Sequence, residues 1–109
     1  MKQYMVLLKG KGALDYSPEE LQKRLEAYRK WADDLGDKYV TGQRLEQRGA
    51  YFTKDDTILT DGPFLEAKEI IAGYIIFKAE DLQAAISVTQ TLPLLEHFEA
   101  MVRPLIEPD

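Results

Sequence analysis

Ile70-Ile71-Ala72-Gly73-Tyr74-Ile75-Ile76-Phe77-Lys78 is the stretch on which the fold turns. Successive side chains of a strand point to opposite faces, so a strand with one wet face alternates apolar and polar residues. Here Ile71, Ile75 and Phe77 fall on one side, and Ala72, Tyr74 and Ile76 on the other. Both sides are apolar. Met5-Val6-Leu7-Leu8 repeats the pattern near the start of the chain. Two strands with two greasy faces need cover above and below.

The flanking segments supply cover for one face. Ser17-Pro18-Glu19-Glu20 is a helix start: Ser17 caps, Pro18 suits the first helical position and Glu20 completes a capping box. Leu21, Leu25, Tyr28, Ala32 and Leu35 then recur at steps of four and three, and Gly36 is a natural stop. Leu82 to Leu92 reads as a second helix, opened by Asp81 or Glu80 and ended by Pro93, with Leu82, Ala85, Ile86 and Thr89 on one side. Strands are expected at Tyr4 to Lys9, Gln43 to Thr53, Thr57 to Thr60 (turning at Lys54-Asp55-Asp56), Ile70 to Lys78 and Phe98 to Arg103. The order β-α-β-β-β-α-β predicts one α+β domain over residues 1–109, two helices on one face of an antiparallel sheet. No third helix exists to cover the other face, so the pattern predicts a homodimer packed sheet to sheet.

Composition narrows the chemistry. The 109 residues include 19 acids against 14 bases, for a net charge of −5, with 45% hydrophobic residues, one His and no Cys. Such a length fits one globular domain, which buries roughly two-thirds of its unfolded surface. The absence of Cys excludes disulfides, thiolate metal sites and a cysteine nucleophile, and one His excludes a His-rich metal centre. Neither a metal nor a cofactor is expected. An acidic chain is poorly suited to direct nucleic-acid binding. Met5 to Leu8 is too short an apolar run for a signal or membrane span, so a cytoplasmic protein is expected, without a membrane partner.

The segment Asp61-Gly62-Pro63-Phe64-Leu65-Glu66-Ala67-Lys68-Glu69 is unusual. Pro63 lacks the N–H that an Asx turn at Asp61 would use, so that carboxylate needs Phe64 N–H, another partner or a ligand. Glu66 and Lys68 share one side of an extended segment, with Glu69 opposite. Two readings stand: the loop plugs the core and pairs its own charges, or it rims a cleft and turns those groups to a small ligand. This motif, with Gly42, Gly73, Ala85, Pro93 and Val102-Arg103-Pro104-Leu105, resembles the DGPF branch of the YCII-related family. The resemblance implies a ferredoxin-like dimeric α+β barrel. It also implies a regulatory alternative, an interaction module acting on transcription initiation through an alternative sigma factor. Met101 stands where relatives carry an acid, Ala84 replaces a Glu, and the first helix has no His for the His–Asp pair some relatives possess.

The candidate ligand-binding residues are therefore Asp61, Glu66, Lys68, Glu69, Arg103 and His97. His97 is the one group that ordinarily titrates near neutrality, with Glu96 or Glu99 as an orienting partner. Arg103 can hold an anion by a two-pronged contact or pair with an acid of the 61–69 loop. Arg44 and Arg48 are possible cavity liners, and Tyr4, Tyr74 and Phe77 are either aromatic walls or core. Trp31, one position off the helix stripe, is expected at a helix–helix or dimer contact. No catalytic residue is assigned.

Overall fold

The structure is a computed structural model and describes residues 1–10, 17–46, 49–52, 58–60 and 71–108. Among these, β1 is Lys2–Lys9, α1 Pro18–Leu35, β2 Tyr39–Arg44, β3 Ala50–Phe52, β4 Ile58–Thr60, β5 Ile71–Ala79, α2 Leu82–Gln90 and β6 Glu99–Pro104. Four strands form one antiparallel sheet in the order β2-β5-β1-β6. β3 and β4 pair with each other in a separate two-stranded ribbon.

The expected strand from Gln43 to Thr53 is thus divided. Tyr39–Arg44 joins the main sheet, whereas Ala50–Phe52 turns away into the ribbon, leaving Leu45 and Glu46 between them outside any strand. The expected turn at Lys54-Asp55-Asp56 lies outside the described residues. The other elements stand within two residues of expectation. Ser17 Oγ accepts from Glu20 N–H at 3.2 Å, and Asp81 rather than Glu80 caps α2, accepting from Ala84 N–H at 2.8 Å. Gly36, at φ +58°, closes α1 and donates its N–H to Asp33 O. α2 stops at Gln90, and Pro93 begins a 3-10 turn to Glu96.

The core lies between the helices and one face of the sheet. Tyr4, Val6 and Leu8 of β1 and Ile75, Phe77 and Ala79 of β5 are buried there, with Ala85 and Leu92 above them. The half-buried stripe Leu21, Leu25, Tyr28, Ala32 and Leu35 is the predicted one, yet the buried residue of α1 is Trp31. Its indole meets Phe77 edge-on, centroids 6.3 Å apart, and its Nε1–H donates to Thr91 Oγ1 at 2.9 Å, tying α1 to the end of α2. A polar tip with a partner lets this ring take a core position. On α2, Ala85 and Thr89 are buried and Leu82, expected on the same side, is exposed. No described helix is long and apolar enough to cross a membrane.

Tyr28 and Tyr39 clamp α1 to β2 through hydroxyls 2.6 Å apart. Gly42 makes room for them, since a Cβ there would overlap Tyr28 Oη and lie 2.9 Å from Tyr39 Oη. Burial first, then the hydrogen bond to Tyr39, raises the Tyr28 phenol well above its ordinary pKa. A folded-state pKa above the unfolded one makes the folded state the better proton binder at high pH. The contribution is complete below about pH 10, the unfolded value, and fades as the pH climbs beyond it. Tyr28→Phe is expected to lower stability at neutral pH by about 1 kcal/mol and to flatten its decline above pH 10. Denaturant titrations at pH 7, 10 and 11 test this; an identical slope in the two proteins would contradict it.

Candidate functional site

The helices leave the second sheet face without a covering layer among the described residues. Strand register places its side chains in rows. Met101, Leu7, Tyr74 and Gln43 form the central row; Arg103, Met5, Ile76 and Thr41 form the next. Glu99, Lys9 and Ile71 make the row at one end. An irregularity in the β1–β5 register between Leu8 and Lys9 moves Ile71 off the side of Ile75 and Phe77, where strict alternation put it. Gln3 beside Lys78 lies beyond the other end. Met5, Leu7, Tyr74 and Ile76 are half-buried, and Met101 and Ile71 are each 43% exposed. An apolar centre bordered by charge is the result.

Arg103 is exposed on the edge strand β6, opposite Met5. Its guanidinium is a fork of donors suited to a carboxylate or another planar anion, and its methylenes can lie along Met5 and Met101. His97 is elsewhere. It follows the 3-10 turn, donates its backbone N–H to Leu94 O at 3.0 Å and stands at the Glu99 end of the sheet. Glu99 and Arg103 are about 13 Å apart along β6 at ~3.3 Å per residue, so a single small molecule does not span from the imidazole to the guanidinium. Glu96 Oε2 lies 3.8 Å from His97 Nε2 and is itself 80% exposed, too long a contact to fix the ring by a hydrogen bond.

Asp61, Glu66, Lys68 and Glu69 lie outside the described residues, as does Arg48. Their segment joins β4 at Thr60 to β5 at Ile71, whose register partner is Lys9. Arg44 is exposed but pairs with Gly73, on the helix side of the sheet. Tyr4 and Phe77 are core, 2% and 0% exposed with centroids 6.4 Å apart, and only Tyr74 of the three aromatics belongs to the open face. The residues passed over by the sequence reading are Met101 and Lys78, and alternation with Ala100, Val102 and Phe77 would have placed both.

A shallow groove of about 310 Å³ lies on the helix side, lined by Trp31, Thr91, Pro93, Lys30 and Asp34 among others. Its polar groups satisfy one another: Lys30 pairs with Asp34 at 3.1 Å, and Thr91 Oγ1 accepts from Trp31 and donates to Val88 O at 2.6 Å. We read it as the seam between two helices. No group of three His, Cys, Asp or Glu residues able to hold a metal occurs among the described residues.

Comparison with known proteins agrees with this architecture. The model of the YCII-related domain matches residues 2–107. The chain belongs to the YCII-related family. Among curated proteins, none matches. Among solved structures, this YCII-related chain is similar to the 5-chloro-2-hydroxyhydroquinone dehydrochlorinase of Burkholderia phenoliruptrix AC1100, in complex with 2,5-dihydroxybenzoquinone. The two share 17% identity and a TM-score of 0.54 over 97% of this chain and 95% of the other, a likeness of fold. The fold class of the YCII-related chain is accordingly α+β, a ferredoxin-like four-stranded antiparallel sheet with two helices.

Proposed function

We propose that this YCII-related protein acts in the cytoplasm as a homodimer, its open sheet faces turned inward around a cleft that holds a small, flat, anionic organic molecule. The observation that carries the reading is the open face itself, where an apolar centre built on Leu7, Tyr74 and Met101 borders Arg103. Such a surface offers stacking and burial to a ring and a counter-charge to its anionic substituent. The dehydrochlorinase of similar fold binds 2,5-dihydroxybenzoquinone, a ring with two acidic hydroxyls, and that chemistry suits the same surface here. Asp61, Glu66, Lys68 and Glu69 rim the cleft in this reading, with His97 at its far end. Catalysis is not assigned, because no described base, nucleophile or orienting pair stands beside Arg103.

Calorimetric titration with 2,5-dihydroxybenzoquinone tests the proposal. Binding is expected, and Arg103→Gln should weaken it about 10- to 100-fold, the worth of a charge-assisted contact. The absence of heat with the wild type, together with no small molecule retained in native mass spectra of the purified protein, would end the reading. The sigma-factor alternative presumes an acidic contact surface, whereas the open face carries Lys9, Lys78 and Arg103 against Glu99. Co-purification with a sigma factor, without any ligand-dependent rise in melting temperature, would favour that alternative.

A further inference from the structure

We infer that the β3–β4 ribbon is an exchanged arm, lying in the dimer on the open sheet face of the partner copy. This rests on the homodimer reading above and goes beyond it by naming what each copy contributes to the other's cleft.

The first ground is the ribbon's own insufficiency. β3 and β4 hydrogen-bond to each other and belong to no larger sheet. An isolated two-stranded ribbon is marginal at best in water and needs a surface to pack on. Ala50-Tyr51-Phe52 and the paired Ile58-Leu59-Thr60 are apolar or aromatic in sequence at every position but Thr60, a composition poorly suited to a ribbon left in water. Phe52 is 67% exposed in the single copy.

The second ground is that the same chain presents a matching deficit. Met101 and Ile71 of the sheet face are each 43% exposed, so among the described residues both Phe52 of the arm and these two residues of the face are open. Two unsatisfied apolar surfaces on one chain are both covered when two copies exchange them about a two-fold axis. Charge does not oppose this occupant: the face carries Lys9, Lys78 and Arg103 against Glu99 among the described residues, and Ala50 to Phe52 and Ile58 to Thr60 of the arm carry no charge to repel them.

The consequence is a composite cleft: the face carrying Tyr74 and Arg103 is closed by the arm of the other chain. Because the protein has no Cys, introduced thiols are unambiguous reporters. Chains carrying Phe52→Cys and differently tagged chains carrying Met101→Cys should, when co-expressed and treated with a short bis-maleimide, yield a cross-linked pair bearing both tags. Phe52→Asp should raise the dimer dissociation constant at least tenfold in sedimentation runs, with Phe52→Leu close to wild type. A wild-type dimer that gives no mixed cross-link and tolerates Phe52→Asp would overturn the arm exchange and leave the pairing intact. Cross-linking within one chain of the Phe52→Cys/Met101→Cys double variant, without mixed pairs, would overturn it as well. A wild type that sediments as a single copy at every concentration would remove the homodimer reading, and the exchange with it.

Discussion

Phe77→Ala is expected to cost about 3–5 kcal/mol of folding stability, among the largest losses of any single truncation of the described residues. The ring is 0% exposed and stands where three elements meet. It stacks on Tyr4 of β1 at 6.4 Å, receives the edge of Trp31 of α1 at 6.3 Å and is itself part of β5. Removing it strips contacts from all three and leaves a cavity that the backbone of a paired central strand cannot move to fill. Trp31 is also held by its bond to Thr91, so it has little freedom to tilt into the gap. Thermal melts should show a fall of roughly 15–30 °C for a domain of this size. A drop of only a few degrees would mean that the helices do not close over this face as described. Trp31 fluorescence offers a second readout, because loss of the neighbouring ring should change its emission even where the chain stays folded.

The features legible in the sequence were those fixed by local chemistry or by period. Ser17, Pro18 and Glu20 define a helix start through backbone N–H groups within one turn, and Gly36 ends that helix in a backbone conformation that suits glycine. The two-sided apolar strands β1 and β5 predicted a second apolar face that the two helices do not cover, and they occupy the centre of the sheet, where that reasoning is strongest. The division between Arg44 and Ala50 was not legible. Gln43 to Thr53 has no proline and its one glycine, Gly49, can sit in a strand, so nothing local marks the point at which the chain leaves one sheet for another. Trp31 makes the expected helix–helix contact, but its depth in the core was not legible, because helical period ignores the reach of a large ring and the Thr91 hydroxyl sixty residues away. The candidate site was legible only as a collection. Arg103 and His97 are six residues apart in sequence, but the extended strand β6 carries them to opposite ends of the face.

Ile76→Asp should do the opposite of Phe77→Ala, although the two positions are adjacent. Ile76 points to the open face, between Met5 and Thr41 in register, and is half-buried in the single copy. There a carboxylate can still reach water, and the loss of apolar contact with Met5 should lower the stability of the single chain by only about 1 kcal/mol. In a sheet-to-sheet dimer the same carboxylate is taken out of water, twice per pair, and a buried charge with an incomplete set of partners costs several kcal/mol. Lys78, two residues along the same strand face, and Arg103, beyond Met5, can offset part of this, which sets the expected loss at about 100-fold in dissociation constant rather than complete. Sedimentation across a range of protein concentrations should show the variant dissociating where the wild type remains paired, while its circular dichroism stays that of a folded chain. Ile76→Val, which keeps the face apolar, should pair normally. If Ile76→Asp pairs as tightly as the wild type, the open face is not where two copies meet. If it instead unfolds as severely as Phe77→Ala, the face is covered from within the chain. Either result would remove the cleft on which the proposed ligand site depends, because a small anion held near Arg103 needs a second wall that only an apolar contact at this face provides.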